Sequence, residues 1–141
     1  LLLGAEHGLV DLAGDIRVIG PHPSGEAWRI SIRDPRLLGK LMATAAVERG
    51  SLATSGDYER CIEFNGKRYL HILCPRTGSP VSGLASVTAM TDRCLVASSV
   101  CTIAMLKGLA GIDWLNSLGI DHFSMNEEGR HYSAGPFNAD G

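Results

Sequence analysis

No pair of cysteines in this sequence is spaced as Cys-x-x-Cys, no stretch approaches the roughly 20 apolar residues of a membrane-spanning helix, and neither sign of charge dominates. Each absence removes a class. Cys61, Cys74, Cys94 and Cys101 lack close metal-ligand spacing, and His71-x-x-Cys74 offers two zinc ligands at most. On one helix, Cys94 and Cys101 would stand roughly 10 Å apart, too far for a disulfide, so mostly buried thiols are expected. A net charge of -2 gives no general attraction to nucleic acid or to an anionic membrane, and nucleic acid is not expected as a partner. The start, LLLGAEHG, has neither an initiator Met nor a charged n-region, and reads as the start of a fragment or processed piece, silent about targeting. No internal repeat or low-complexity tract appears.

What remains is an ordinary folding composition, 45% hydrophobic and 20% charged over 141 residues, enough for one domain with one core. Short alternating runs fill the first two-thirds. GLVDLAGDIRVIG reads as two strands around Gly14-Asp15, and WRISIRDP alternates Trp28, Ile30 and Ile32 against Arg29, Ser31 and Arg33, ending at Asp34-Pro35. CIEFNGKRYLHIL carries Asn65-Gly66 between two alternating runs, a strong hairpin signal because both residues tolerate positive φ. SVTAMTD then predicts a strand, and RCLVASSVCTIAMLKG a well-buried helix with Leu95, Val96, Val100, Ile103 and Leu106 at helical spacing, capped by Thr91 or Asp92 and ended by Lys107-Gly108. A shorter helix over GIDWLNSLG and a closing hairpin around Glu127-Glu128-Gly129 follow. Strands first and helices late, without βαβ alternation, predict an α+β fold, mostly antiparallel sheet with one long and one short C-terminal helix.

Three polar clusters are candidates for chemistry. ATSGDY (53–58) is hydroxyl-rich with a glycine that lets a ligand approach the backbone, although a β-bulge or turn explains it equally. HILCPRTG (71–78) joins an imidazole, a guanidinium and a hydroxyl on a turn after a strand, where a base and an anion clamp can meet. A Cys74/His71 nucleophile pair is disfavoured because side chains three apart on an extended strand and turn diverge. Ser98 and Thr102, four apart on the helix, share one face; they suit a hard cation or a phosphate, or else back-bond to their own helix.

Taken in order, these stretches resemble the C-terminal half of the ApbE family, the FAD:protein FMN transferases. GLVDLAGDIRVIG and WRISIRDP are similar to its glycine-glycine-aspartate-isoleucine strand pair and tryptophan strand, and SLATSGDYER to its threonine-serine-glycine-x-tyrosine motif. YLHILCPRTGSP is similar to its histidine-isoleucine-x-aspartate-proline-x-threonine-glycine turn, and SVTAM with CLVASSVCTIAMLKG to its strand and final helix. The resemblance implies a T-fold-like domain of which residues 1–141 are the C-terminal portion, with the N-terminal half missing, or supplied by a second chain, and one face left to be covered. It implies FAD as substrate, Mg²⁺ as cofactor, an acceptor protein flavinylated on Thr or Ser, AMP as product, and a periplasmic or membrane-anchored setting. By the same resemblance His71 is the base, Thr54, Ser55, His71 and Ile72 hold the flavin nucleotide, and Thr102 with Ser98 holds the metal. Three positions depart from the family: Ser98 and Cys74 stand where it has aspartates, and Ala13 where it has the first glycine. The alternative is a relative that binds flavin, or serves structurally, without transfer.

Overall fold

The computed structural model describes residues 4–37, 39–56, 61–65 and 67–139, with the backbone alone at 61–64, 67, 68 and 70. A six-stranded sheet runs in the order β1-β2-β5-β8-β9-β10, every neighbouring pair antiparallel. Its strands are β1 (Gly8–Leu12), β2 (Asp15–Gly20), β5 (Gly50–Gly56), β8 (Leu84–Thr91), β9 (Asp121–Asn126) and β10 (His131–Ala134). A three-stranded sheet, β11-β4-β3, combines β3 (Trp28–Arg33), β4 (Leu41–Val47) and β11 (Phe137–Ala139). The hairpin β6 (Cys61–Phe64) and β7 (Lys67–Leu70) stands as its own sheet. This is an α+β fold.

Three layers follow from which side chains meet. One face of the large sheet, through Leu84, Val87 and Ala89, packs against α1 (Cys94–Lys107) and α2 (Ala110–Ser117). On the other face, Val18, Leu52, Phe123 and Met125 meet the inward residues of the small sheet, Ile30, Ile32, Ala43 and Ala45. The alternation of WRISIR is realised as expected: Ile30 and Ile32 are buried while Arg29, Ser31 and Arg33 are exposed. Trp28 starts β3 half-buried, its indole Nε1 donating to Gly20 O at 3.0 Å.

Four expectations need correction. ATSG is neither bulge nor turn but regular strand, paired residue for residue with β8, while β2 pairs only with the first residues of β5, Gly50 to Leu52. The Thr91/Asp92 cap is not formed: Arg93 occupies the N-cap without a side-chain cap bond, and the Thr91 hydroxyl donates to Arg93 O at 2.8 Å instead. The long helix also buries a different face. Ala97, Val100, Cys101, Ala104 and Met105 meet the sheet, while Leu95 is 79% exposed and Val96, Ile103 and Leu106 are exposed with it. Small residues win the inner face because they let the helix backbone approach the sheet closely, and a helix apolar all round cannot reveal by periodicity which side is covered. The missed strand β4, LMATAAV, gave no alternating signal because its outward positions include Thr44 and Ala46, small residues that do not contrast with Ala43 and Ala45.

The β1–β2 turn is centred on Ala13-Gly14, one residue earlier than expected. Ala13 has φ 55° and Gly14 φ 92°, the double positive φ of a tight hairpin turn, and Gly14 N donates to Asp11 Oδ1 at 2.8 Å. For alanine the left-handed region costs roughly 1–2 kcal/mol, of which glycine recovers part after its larger entropy loss. Ala13→Gly is therefore expected to stabilise the fold by roughly 0.5–1 kcal/mol, read as a higher urea midpoint at unchanged slope.

Candidate functional site

Successive residues of a strand point to opposite faces, and β5 uses this to separate two neighbours. Ser55 faces the helices, its Oγ 3.4 Å from Thr102 Oγ1 on α1. Thr54 faces the small sheet and shares a hydrogen bond with Thr88 Oγ1 at 2.8 Å. Thr102 Oγ1 also donates to Ser98 O at 3.2 Å, so the helix-bonded reading of this residue holds while its hydroxyl still meets Ser55. The structure thus joins Ser55, Thr102 and the Ser98 carbonyl, and leaves Thr54 on the other side of the sheet.

What fixes this pair is the seat of α1 on β5. One residue before Thr102, the buried Cys101 thiol donates to Ala53 O at 3.2 Å, and burial pushes its pKa up to about 12. It is an uncharged packing group at any physiological pH. Cys94 and Cys101 are both free thiols on α1, as their spacing predicted.

His71 lies just past β7, exposed, at the entry to a closed loop. Ile72 belongs to the buried cluster that includes Val87, Ala89, Val100 and Cys101, so the segment that carries His71 is pinned to the core on the helix face of the sheet. Ile72 can therefore meet a ligand through its backbone alone. The loop is closed by Val81 N donating to Ile72 O at 3.1 Å and Cys74 N donating to Ser79 O at 2.8 Å. The amides of Thr77 and Gly78 turn back onto Cys74 O at 3.2 and 2.8 Å. Asp57, Tyr58 and Gly66 lie outside the described residues.

The Cys74 sulfur takes the acceptor place at the head of this turn. The Thr77 hydroxyl, with the Arg76 and Thr77 backbone amides, lowers its pKa from 9.0 to about 7. These are the donors an aspartate would use there, which explains how cysteine is tolerated and assigns it a capping role. Iodoacetamide labelling in a Cys61→Ser background is expected to modify Cys74 first, with a rate midpoint near pH 7, while Cys94 and Cys101, both shifted upward, stay slow.

Among the described residues no three His, Cys, Asp or Glu side chains converge as metal ligands. The ApbE family pattern matches residues 2–123. The chain belongs to the ApbE family.

Relatives of this ApbE chain include the FAD:protein FMN transferase of Vibrio cholerae, 36% identical over 108 residues, which are 74% of this chain and 32% of the relative. That of Rhodobacter capsulatus is 33% identical over 105 residues, 74% of this chain and 20% of the relative. Among solved structures, the ApbE protein of Thermotoga maritima superposes with a TM-score of 0.82 at 33% identity, over 92% of this chain and 43% of that one. The apo flavinyl transferase ApbE of Pseudomonas stutzeri gives 0.76 at 31% identity, over 98% and 42%. The chain thus spans a third or less of these two curated relatives. In each relative the remaining length belongs to the same polypeptide, which gives a separate second chain no support.

Proposed function

We propose that this chain is the C-terminal part of a flavin transferase that moves FMN from FAD to a Thr or Ser hydroxyl of an acceptor protein and releases AMP. The observation that carries the reading is the juxtaposition on one face of the sheet: the Ser55 and Thr102 hydroxyls in contact, with the His71 segment anchored by Ile72 into the same core. In the reaction the acceptor oxygen bonds to the phosphorus of the FMN half, the bridging P–O bond to AMP breaks, and the acceptor proton passes to a base. An imidazole suits that base because its ordinary pKa lies near neutrality. Ser55 suits the pyrophosphate, since its hydroxyl can turn its proton from Thr102 Oγ1, 3.4 Å away, to a phosphate oxygen, while the Thr102 proton is held by Ser98 O.

Magnesium belongs to this reading through the family, but the side chains beside Thr102 do not make a magnesium site by themselves. They offer neutral hydroxyl and carbonyl oxygens, and Ser98 stands where a carboxylate would supply the charge a hard divalent cation calls for. The same deficit favours a second reading, a flavin-binding relative without transfer.

Incubation of the protein, at its relatives' full length, with FAD, Mg²⁺ and a Thr-bearing acceptor separates the two. Covalent in-gel flavin fluorescence with stoichiometric AMP is the expected result, and bound flavin without a covalent label would discard transfer. Ser98→Asp is expected to tighten Mg²⁺ binding about tenfold or more by titration calorimetry, the scale on which one added carboxylate changes a hard-cation site. Unchanged Mg²⁺ affinity would show that Ser98 does not face the metal.

A further inference from the structure

The sandwich is open along one flank. Among the described residues β1 ends the large sheet and β3 ends the small one, so both strands have a side without a paired neighbour. Between the β1–β2 turn and β3 lies a cavity of about 570 Å³. Ile30, Ser31, Ile32 and Arg33 all line it. Consecutive strand residues alternate between faces, so a cavity touched by four in succession runs along the strand's free edge, where its amides and carbonyls lack a ladder partner. Leu52 and the bonded Thr54–Thr88 pair form its floor. On the facing lip stand Asp11, Ala13 and Gly14 of the β1–β2 hairpin.

We infer that this flank is the seam where an extended segment of the same polypeptide, from the length that the relatives carry outside the matched region, adds as a strand to the edge of β3. A strand is the occupant that satisfies a row of backbone groups and an apolar floor together. A small ligand would leave most of the row without partners. An acceptor protein would be bound on the wrong side, since the Ser55–Thr102 pair opens on the helix face of β5 and the cavity lies on the opposite face. The relatives supply the length: this chain matches 32% and 20% of two of them, each a single polypeptide.

Amide hydrogen exchange of the 28–33 segment, compared between this chain alone and the protein extended to its relatives' length, tests the seam. In the longer protein the segment is expected to exchange roughly tenfold more slowly or better, the gain from adding one ladder hydrogen bond to each free amide. The 84–91 segment, already paired on both sides, stays unchanged and serves as the control. Equal exchange of 28–33 in the two proteins overturns the inference. So does protection that depends on protein concentration, which would mean a second copy, or that needs added acceptor or FAD. As a second measurement, Thr54→Cys is expected to react with a maleimide in the chain alone and to be shielded in the longer protein; equal reactivity counts against the seam. None of these outcomes depends on whether flavin is transferred.

Discussion

Replacing His71 by glutamine in the full-length protein is expected to lower flavin transfer by about 10²–10⁴-fold while leaving FAD binding within a few-fold, the usual contribution of a positioned general base. Glutamine keeps the size and polarity of imidazole but cannot take a proton. The loop should survive the change, because its closure rests on backbone bonds from Cys74, Thr77, Gly78 and Val81, and its anchor is Ile72. The decisive measurement is the rate of transfer beside FAD affinity in the same variant, since losing a base slows the chemical step and leaves ground-state binding in place. A His71→Gln protein that transfers flavin at the native rate would remove the base from His71. One that loses FAD binding in parallel would make His71 a binding group instead.

Gly111→Ala is expected to cost about 1–3 kcal/mol of stability or more, the scale of inserting a methyl group where neighbours cannot yield. A Cβ at position 111 would stand 2.4 Å from Ala104 O and 2.9 Å from Ala104 Cα, both backbone atoms of α1. Relief requires α1 and α2 to separate, and between them lie the buried Ala104, Met105, Ile112 and Leu115. A shift of α1 also carries Thr102 away from Ser55. A lower thermal midpoint, together with weaker FAD binding at temperatures where the protein remains folded, is the expected pair of results. A midpoint within a degree of native would mean that the helix crossing is looser than its geometry implies.

Much of the framework is legible in the chain. Period two marks β3, Asn65-Gly66 marks the β6–β7 hairpin, Glu127-Glu128-Gly129 the β9–β10 hairpin, and Lys107-Gly108 the end of α1. These signals survive because each depends on a few adjacent residues and the φ values they tolerate. β4 and β5 are harder to read. Small residues blur the alternation of LMATAAV, and the hydroxyls of ATSG look like turn chemistry until pairing with β8 makes them part of a strand. The candidate site divides in the same way. His71 and Thr102 are placed by local motif and resemblance, whereas Ile72 proves to be an anchor and Cys74 a cap.

The sequence by itself determined the α+β class, most strand positions, the ApbE family and the helical spacing of Ser98 and Thr102. Only the tertiary structure decided that Ser55 is the one facing Thr102, that α1 turns its small residues inward and its leucines out, and that among the described residues β1 and β3 are left at sheet edges. The reason is common to all three. Local spacing fixes the relative orientation of side chains within one element, but which face meets which neighbour is set by long-range packing, and that depends on how closely two backbones can approach.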